Sequence, residues 1–254
     1  MQINTKVMNE RMNTSDSDCA VAALIIETSD PRRLAAFWGA MLAREVTLAE
    51  GSVELPGSAT QPTLRFVPGD APPGKPNRMH LHLTSDTAAH QEAQVALALQ
   101  LGGRHHDVGQ RPEDGHVVLA DPDDNEFCVI EANNGYLAGC GPLGEFAGDG
   151  RAITGAFWRD VLGWPFVWNQ GEERVIQHPD GGTKYAWGGP PLTPKTARNR
   201  HRLALAAADV DAALARLLAL GARRGAAPDA ATIVLIDPDD NEFELESAQH
   251  STPT

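Results

Sequence analysis

The sequence predicts an α+β fold that is built from four copies of one β-α-β-β-β unit. Two observations support this class. The same motifs recur in the same order in both halves of the chain, and each half contains two rounds of strand, amphipathic helix and short strands. A chain of 254 residues also has room for two domains of ordinary size. We therefore expect mixed or antiparallel sheets packed with four principal helices.

Four motifs occur once in each half, at nearly the same spacing. They are AAFWGAML (35–42) and GAFWRDVL (155–162), NRMHLHL (77–83) and NRHRLAL (199–205), LGGR (101–104) and LGAR (220–223), and DPDDNEF at 121–127 and 237–243. Four matches in one order indicate a tandem duplication. The first domain is predicted at 19–132 and the second at 146–248, with a glycine-rich linker at 133–145.

The first unit of each copy starts with an apolar strand and continues into a short amphipathic helix. The strand is clear at 20–28 and weaker at 141–150, where several glycines interrupt it. The first helix is predicted at 31–43, where Pro31 suits the first turn. Its counterpart in the second copy is expected to end at Gly163.

The second unit of each copy runs from a strand through a longer helix to a closing hairpin. The helix of the second copy has Asp209 as a good N-cap and Gly221 as its stop. An Asp-Pro-Asp-Asp-Asn turn is expected between the two strands of each hairpin. Strand, helix and hairpin are predicted at 79–84, 87–101 and 115–131 in the first copy and at 201–206, 209–225 and 231–246 in the second.

Charge and composition exclude several classes of partner. The formal net charge of −13 and the pI of about 5.0 argue against nucleic acid and against an anionic membrane surface. Cys19, Cys128 and Cys140 form neither a disulfide framework nor a zinc knuckle pattern. Residues 1–18 lack the apolar core of a signal peptide and are interpreted, like the tail 249–254, as disordered. We expect a cytoplasmic protein.

Three stretches of the first copy carry a family resemblance. In order they are SDPRRLAAFWGAML, RMHLHL and LADPDDNEFCVIE. Together they resemble the vicinal oxygen chelate (VOC) superfamily, also called glyoxalase/bleomycin-resistance/dioxygenase, and most closely its glyoxalase-like branch. The resemblance covers about 19–131 and 141–246. It implies that two βαβββ units pair into one cupped sheet around a small-molecule cavity, so that the chain carries two cups.

The closing turn departs from the family pattern at one position. The family usually has Gly at the fourth position of the turn, where this chain has Asp124 and Asp240. Asp adopts the left-handed backbone conformation at modest cost, so we expect both turns to form.

The resemblance also implies a divalent metal, held by a His from the first strand of a unit and a carboxylate from the last. The corresponding positions are Ala23, Arg65, His80 and Cys128 in the first copy, and Leu143, Lys184 or Tyr185, Arg202 (His201 in an alternative register) and Glu244 in the second. Neither copy keeps the donor set, so no metal ligand is assigned and no cofactor is predicted. A weak divalent site that involves His80 and Cys128 remains the alternative.

Strand alternation selects two candidate catalytic residues. If Leu81 and Leu83 face the helices, His80 and His82 face the cup. There they would act as acid and base or contact a ligand. The equally weighted alternative is that they are satisfied by hydrogen bonds to neighbours or water.

Six further residues are candidates for ligand binding: Arg65, Cys128, Trp168, Trp187, Arg202 and Glu244. The cup of the first copy is expected to hold Arg65, His80, His82 and Cys128, and the cup of the second Trp187, Arg202 and Glu244. Arg202 and Glu244 would pair if they share a cup, which leaves the first copy as the expected site of chemistry. A free buried thiol is more often inert than reactive, and this is the alternative for Cys128.

Two hypotheses of function follow. The first is a metal-independent protein that binds a small aromatic or oxygen-rich metabolite or antibiotic. The second is a VOC enzyme of the lyase, isomerase or dioxygenase type, which uses His80 as acid or base or retains a degenerate metal site. A small molecule is the expected partner in both cases, and a homodimer is left open.

Overall fold

The computed structural model describes residues 18–69, 77–229 and 231–248 and has the predicted α+β class. Within these ranges no helix is long and apolar enough to cross a membrane. The predicted disordered leader, apart from Asp18, and the predicted tail lie outside the described residues. The four helices are α1 (Pro31–Leu42), α2 (Ala88–Gln100), α3 (Ala152–Leu162) and α4 (Val210–Ala219).

Each of the four units consists of a long strand, a helix and three shorter strands. Units one and two contain β1 (Cys19–Thr28), β2 (Thr47–Ala49), β3 (Ser52–Leu55), β4 (Leu64–Pro68), β5 (Met79–Leu83), β6 (Arg104–His105), β7 (Val117–Ala120) and β8 (Glu126–Val129). Units three and four contain β9 (Leu143–Gly148), β10 (Phe166–Gln170), β11 (Glu173–Gln177), β12 (Lys184–Trp187), β13 (His201–Ala207), β14 (Arg223–Arg224), β15 (Ile233–Ile236) and β16 (Glu242–Ser247). The glycine-rich stretch therefore does form a strand, and β9 begins within the predicted linker.

The strands form two eight-stranded mixed sheets, and the pairing of units differs from the prediction. Units one and four make one sheet, in the order β14-β15-β16-β13-β1-β4-β3-β2. Units two and three make the other, in the order β10-β11-β12-β9-β5-β8-β7-β6. We call the first the arginine sheet and the second the histidine sheet. The expectation that each copy of the duplication builds its own cup is wrong, because β1 pairs with β13 of the other copy and β5 pairs with β9 of the other copy.

The recurring Trp and Asp residues hold each helix to a closing turn. Trp38 on α1 donates from Nε1 to Asp121 (3.1 Å), and Trp158 on α3 donates from Nε1 to Asp237 (3.2 Å). Burial raises the pKa of both aspartates to about 6, against the opposing effect of these hydrogen bonds. The motifs recur together because they bind one another.

The recurring Asn-Arg pair links the two sheets. The Arg78 guanidinium donates to the carbonyl oxygen of Asp239 (2.7 Å), and the Arg200 guanidinium donates to that of Asp123 (3.0 Å). Each arginine therefore reaches the closing turn of the other copy. The turns have the predicted left-handed residues, with φ of 62° at Asp124 and 69° at Asp240.

The alternation of side chains along β5 decides which of them point into the core and which point away from it. Met79, Leu81 and Leu83 are buried in the main hydrophobic core with the helices. His80 and His82 lie on the opposite face, as predicted.

Candidate functional site

The site is a row of side chains across the middle of the histidine sheet. His82 on β5 is in register with Cys128 on β8 on one side and with Glu145 on β9 on the other. Glu145 is in register with Lys184 on β12. Residues in register on neighbouring strands share a face of the sheet, so this row brings four polar side chains together.

His82 is the centre of this row. Its Nδ1 lies 2.7 Å from the Glu145 carboxylate, and its ring is also hydrogen-bonded to Cys128. Because Nδ1 faces Glu145, Nε2 is the ring nitrogen left for the thiol. The ring of His80 lies beside that of His82, with centroids 4.8 Å apart and planes inclined by 53°.

The two histidines have opposite pKa shifts. Burial lowers the pKa of His80 to about 4, and the nearby charge of His82 contributes in the same direction. Burial alone would also lower the pKa of His82. The hydrogen bonds to Cys128 and Glu145 outweigh it and raise that pKa to about 10, while His82 holds the pKa of Glu145 below its usual value in spite of burial.

Two residues outside the strand β5 support Glu145. The Tyr136 hydroxyl donates a hydrogen bond to the second carboxylate oxygen of Glu145. The Lys184 ammonium donates to the carbonyl oxygen of Tyr136 and lies 4.0 Å from the centroid of its ring. Burial and the neighbouring Glu145 raise the pKa of Tyr136, which keeps its hydroxyl protonated. The predicted linker thus supplies two residues of the site, Tyr136 and Glu145.

A cavity of about 700 Å³ opens over this face, and we call it the histidine cup. His80, His82 and Glu145 contribute to its floor. Its remaining lining is mainly apolar and includes Tyr136, Trp168, Trp187, Pro190 and Pro191. Trp168 is 39% exposed, whereas Trp187 is buried and stacked on Trp158 with ring centroids 6.1 Å apart.

Three other cavities have fewer titratable side chains of catalytic type. Those of about 470 Å³ and 620 Å³ have one histidine each in their lining, His178 and His90, and one of about 400 Å³ is lined by Glu244 and Glu246 without a histidine. None of the three holds a pair of adjacent histidines, so the histidine cup is the candidate site.

The arginine sheet holds three of the predicted ligand-binding residues, all of them in ion pairs. Arg202 lies 2.6 Å from Glu244 and 2.9 Å from Glu27. The predicted pair of Arg202 and Glu244 is therefore present. Arg65 lies 2.7 Å from Glu54 on the neighbouring strand.

The predicted grouping of residues into cups is wrong in two respects. Arg65 lies in the arginine sheet and does not share a cup with His80 and Cys128. Trp187 lines the histidine cup and does not share one with Arg202. Both corrections have one cause. The strand β4 belongs to unit one, which shares a sheet with unit four, and β12 belongs to unit three, which shares a sheet with unit two.

The alternative ligand position also lies elsewhere. The buried ring of His201 has its Nδ1 3.0 Å from the Met79 carbonyl oxygen, and burial lowers its pKa to about 3. Among the described residues the ion-pair partners of Glu244 are Arg198 and Arg202, and His201 is not one of them.

Comparison with known sequences identifies the family. The profile of the glyoxalase-like domain matches residues 23–130 and 148–246. The chain belongs to this family. It is a two-domain member of the VOC superfamily. A comparison with curated proteins found no match.

Solved structures share the fold of this glyoxalase-like chain. The V278E mutant of glyoxalase I from Zea mays is 12% identical, with a TM-score of 0.57 over 91% of this chain and 95% of that chain. A putative dioxygenase from Bacillus subtilis is 14% identical, with a TM-score of 0.57 over 90% of this chain and 84% of that chain. At such identity the likeness shows the fold alone.

The glyoxalase-like fold raises the question whether these residues fit a divalent metal. His80, His82 and Cys128 have donor atoms within 4.8 Å of one another, and two imidazoles with a thiolate are a set that zinc accepts. The set differs from the imidazole and carboxylate donors that the resemblance implies. No other group of three such side chains was found among the described residues.

The remaining contacts do not favour the family's metal. Glu145 is already bound by His82 and by Tyr136, and the fourth place in the row is the cation Lys184. A metal on His82 would have to displace the proton that the raised pKa of this residue retains. We conclude that the cup does not fit the imidazole–carboxylate metal site of the superfamily.

Sequence reasoning missed Glu145 and Tyr136. The sequence placed Leu143 at the first-strand position, but an irregularity in the pairing of β5 with β9 puts Leu143 in the core. A carboxylate within the apolar stretch of β9 was a usable signal, because glutamate is seldom buried without a partner. Tyr136 had no such signal, since nothing in a glycine-rich linker indicates where its side chain lies.

Proposed function

We propose that this glyoxalase-like protein binds a small, partly aromatic organic molecule in the histidine cup and acts on it by proton transfer without a metal ion. The observation that carries the proposal is the pair of adjacent histidines with opposite pKa shifts at the floor of one cavity. Titratable neighbours whose pKa values are pushed apart are the usual arrangement of a catalytic acid and base.

The pKa shifts assign a role to each histidine. At neutral pH His80 is uncharged and can accept a proton, whereas His82 is an imidazolium that can donate one. Glu145 orients His82 and stabilises its charge. Removal of a proton next to a carbonyl group by His80, with His82 donating to the oxygen, is a reaction of the isomerase or lyase type.

The walls of the cup support an aromatic ligand. A volume of about 700 Å³ is in the range of sites for small organic molecules, which are mostly apolar with a few polar groups. Trp168 and the two prolines offer faces on which a flat ring can pack. The net charge of −13 also favours a small molecule over nucleic acid as the partner.

The test begins with identification of the ligand. Native mass spectrometry of the full chain should show a co-purified molecule or select one from a library of aromatic carbonyl compounds. His80→Gln and His82→Gln should each reduce turnover by on the order of 10²-fold, while His178→Gln, in another cavity, should have no effect.

Two outcomes would contradict parts of the proposal. Stoichiometric metal in the purified chain by elemental analysis would overturn the metal-free mechanism. A ligand that is bound but never converted, with unchanged affinity in His80→Gln and His82→Gln, would leave a protein that sequesters its ligand.

A further inference from the structure

We propose that Cys128 is a nucleophile that adds to α,β-unsaturated carbonyl compounds bound in the histidine cup. This inference rests on the proposed function in one respect, since the compound occupies the same cup. It adds a covalent step and a chemical class of substrate that proton transfer alone does not require.

The position of Cys128 on β8 directs its thiol to the cup face. Phe127 and Val129, on either side in sequence, are fully buried in the main core. Cys128 belongs to a separate small cluster and lies in register with His82. The sulfur lies within 4.8 Å of a ring nitrogen of both His80 and His82, and these two histidines line the cup.

The partners of Cys128 form the chain of contacts that an activated nucleophile needs. The thiol is hydrogen-bonded to His82, and His82 is held through Nδ1 by Glu145 at 2.7 Å. Glu145 is held in turn by the Tyr136 hydroxyl. A nucleophile, an imidazole within hydrogen-bond reach and a third group that orients the imidazole are the common signature of covalent catalysis on unrelated folds.

The other two cysteines lie in different surroundings. Burial raises the pKa of both Cys19 and Cys140. Cys140 accepts a hydrogen bond from the Gln177 amide (3.6 Å) and is 1% exposed. Both therefore serve as internal references for the reactivity of Cys128.

The covalent step balances without an oxidant or another reactant. The thiol proton leaves to solvent as the Cys128 sulfur attacks the β-carbon, which forms the S–C bond and breaks the C=C π bond. The displaced electron pair moves to the carbonyl oxygen as an enolate. The C=O bond re-forms as the α-carbon takes the Nε2 proton of His82, and His82 is protonated again from solvent, so the net result is addition of S–H across the C=C bond.

The probes for the test are N-ethylmaleimide and N-phenylmaleimide, two unsaturated carbonyl compounds that differ in an aromatic ring. They are added to the full chain, and labelling rates of the three cysteines are measured by peptide mass spectrometry, normalised to free cysteine. Cys128 should react about tenfold faster than Cys19 or Cys140. The phenyl compound should be preferred at Cys128, and Trp168→Ala should remove that preference.

The matched variants are His82→Gln and Glu145→Gln, which retain size and remove the charge on either side of the ion pair. Both should slow labelling of Cys128 by about tenfold, with thermal unfolding recorded to confirm a folded chain. Cys128→Ser should abolish labelling at this position and leave Cys19 and Cys140 unchanged. Equal rates at all three cysteines, or an unchanged rate in a folded His82→Gln chain, would overturn the inference.

Failure here is distinguishable from failure of the proposed function. An unreactive Cys128 in a chain whose ligand turnover depends on His80 and His82 removes the covalent step alone. A Cys128 that reacts preferentially with the maleimides, in a chain that turns over no carbonyl compound through His80 and His82, removes the proton-transfer function alone.

Discussion

The histidine sheet and the arginine sheet have the same topology, but they differ in the charged and titratable side chains at equivalent positions. At equivalent places in the repeated motifs His80 corresponds to Arg202, and Cys128 corresponds to Glu244. In the histidine sheet His80 borders a cavity of about 700 Å³, and the sulfur of Cys128 lies behind it, within 4.8 Å of a ring nitrogen of His80. In the arginine sheet the same places are joined in an ion pair of 2.6 Å. The two copies share one scaffold, but one face borders a cavity whereas the other pairs its charged side chains with one another.

This difference affects the binding free energy that a ligand could gain on each face. Arg202 already has carboxylates of Glu27 and Glu244 as partners, so an anionic ligand there must compete with two local charges. The histidine cup has one internal pair, between His82 and Glu145, and leaves His80 uncharged beside it. A ligand can therefore use His80 without breaking an ion pair.

The largest effect on stability is expected in the arginine sheet. Arg202→Met removes a cation whose side chain is 4% exposed and leaves Arg198, 3.3 Å from both Glu27 and Glu244, as their remaining cation. Breaking a buried pair by removing one partner costs about 3–5 kcal/mol, and the remaining Arg198 should hold the loss near the lower end of this range, which urea denaturation would detect. Ligand affinity of the histidine cup should stay unchanged. Equal losses in affinity and stability would contradict the division of roles between the sheets.

A smaller loss of stability is expected from substitution of the two tryptophans that occupy equivalent positions in the copies. Trp38→Phe and Trp158→Phe each leave a buried aspartate without its indole donor. Each should lower the free energy of unfolding by about 1–3 kcal/mol. Trp158→Phe should cost somewhat more, because it also loses the stacking on Trp187. A neutral result for either one would show that the indole hydrogen bond is not what joins helix and turn.

The smallest effect is expected at the rim of the histidine cup. Tyr136→Phe removes the hydroxyl that donates to Glu145, on a residue that is 38% exposed. Hydrogen bonds to charged groups contribute about 1.5–3 kcal/mol, and partial access of water should reduce the cost to the lower end or below. Turnover should fall more than stability, because Glu145 orients His82. A loss confined to stability would make Tyr136 merely structural.

Local patterns were predictable from the sequence, whereas long-range partnership was not. Alternation along β5 placed His80 and His82 on the cup face correctly, and the Asp preference for turns anticipated the left-handed Asp124 and Asp240. Pairing of whole units was not predictable, because their first strands are similar apolar segments and each could pair with another. The same uncertainty hid Glu145, whose importance appears only when β9 lies beside β5.

The central claim is that, of two adjacent histidines, His80 is neutral and His82 is positively charged at neutral pH. Nuclear magnetic resonance of the imidazole groups across a pH series tests it most directly, with His80→Gln and His82→Gln to assign the signals. The structure predicts that His80 titrates near pH 4 and that His82 remains an imidazolium until about pH 10. Because the folded pKa of His82 is raised, its stabilising effect should be complete below about pH 6.5 and should disappear as the pH rises through 10. Titration of both rings near their ordinary pKa of about 6.5 would contradict the account.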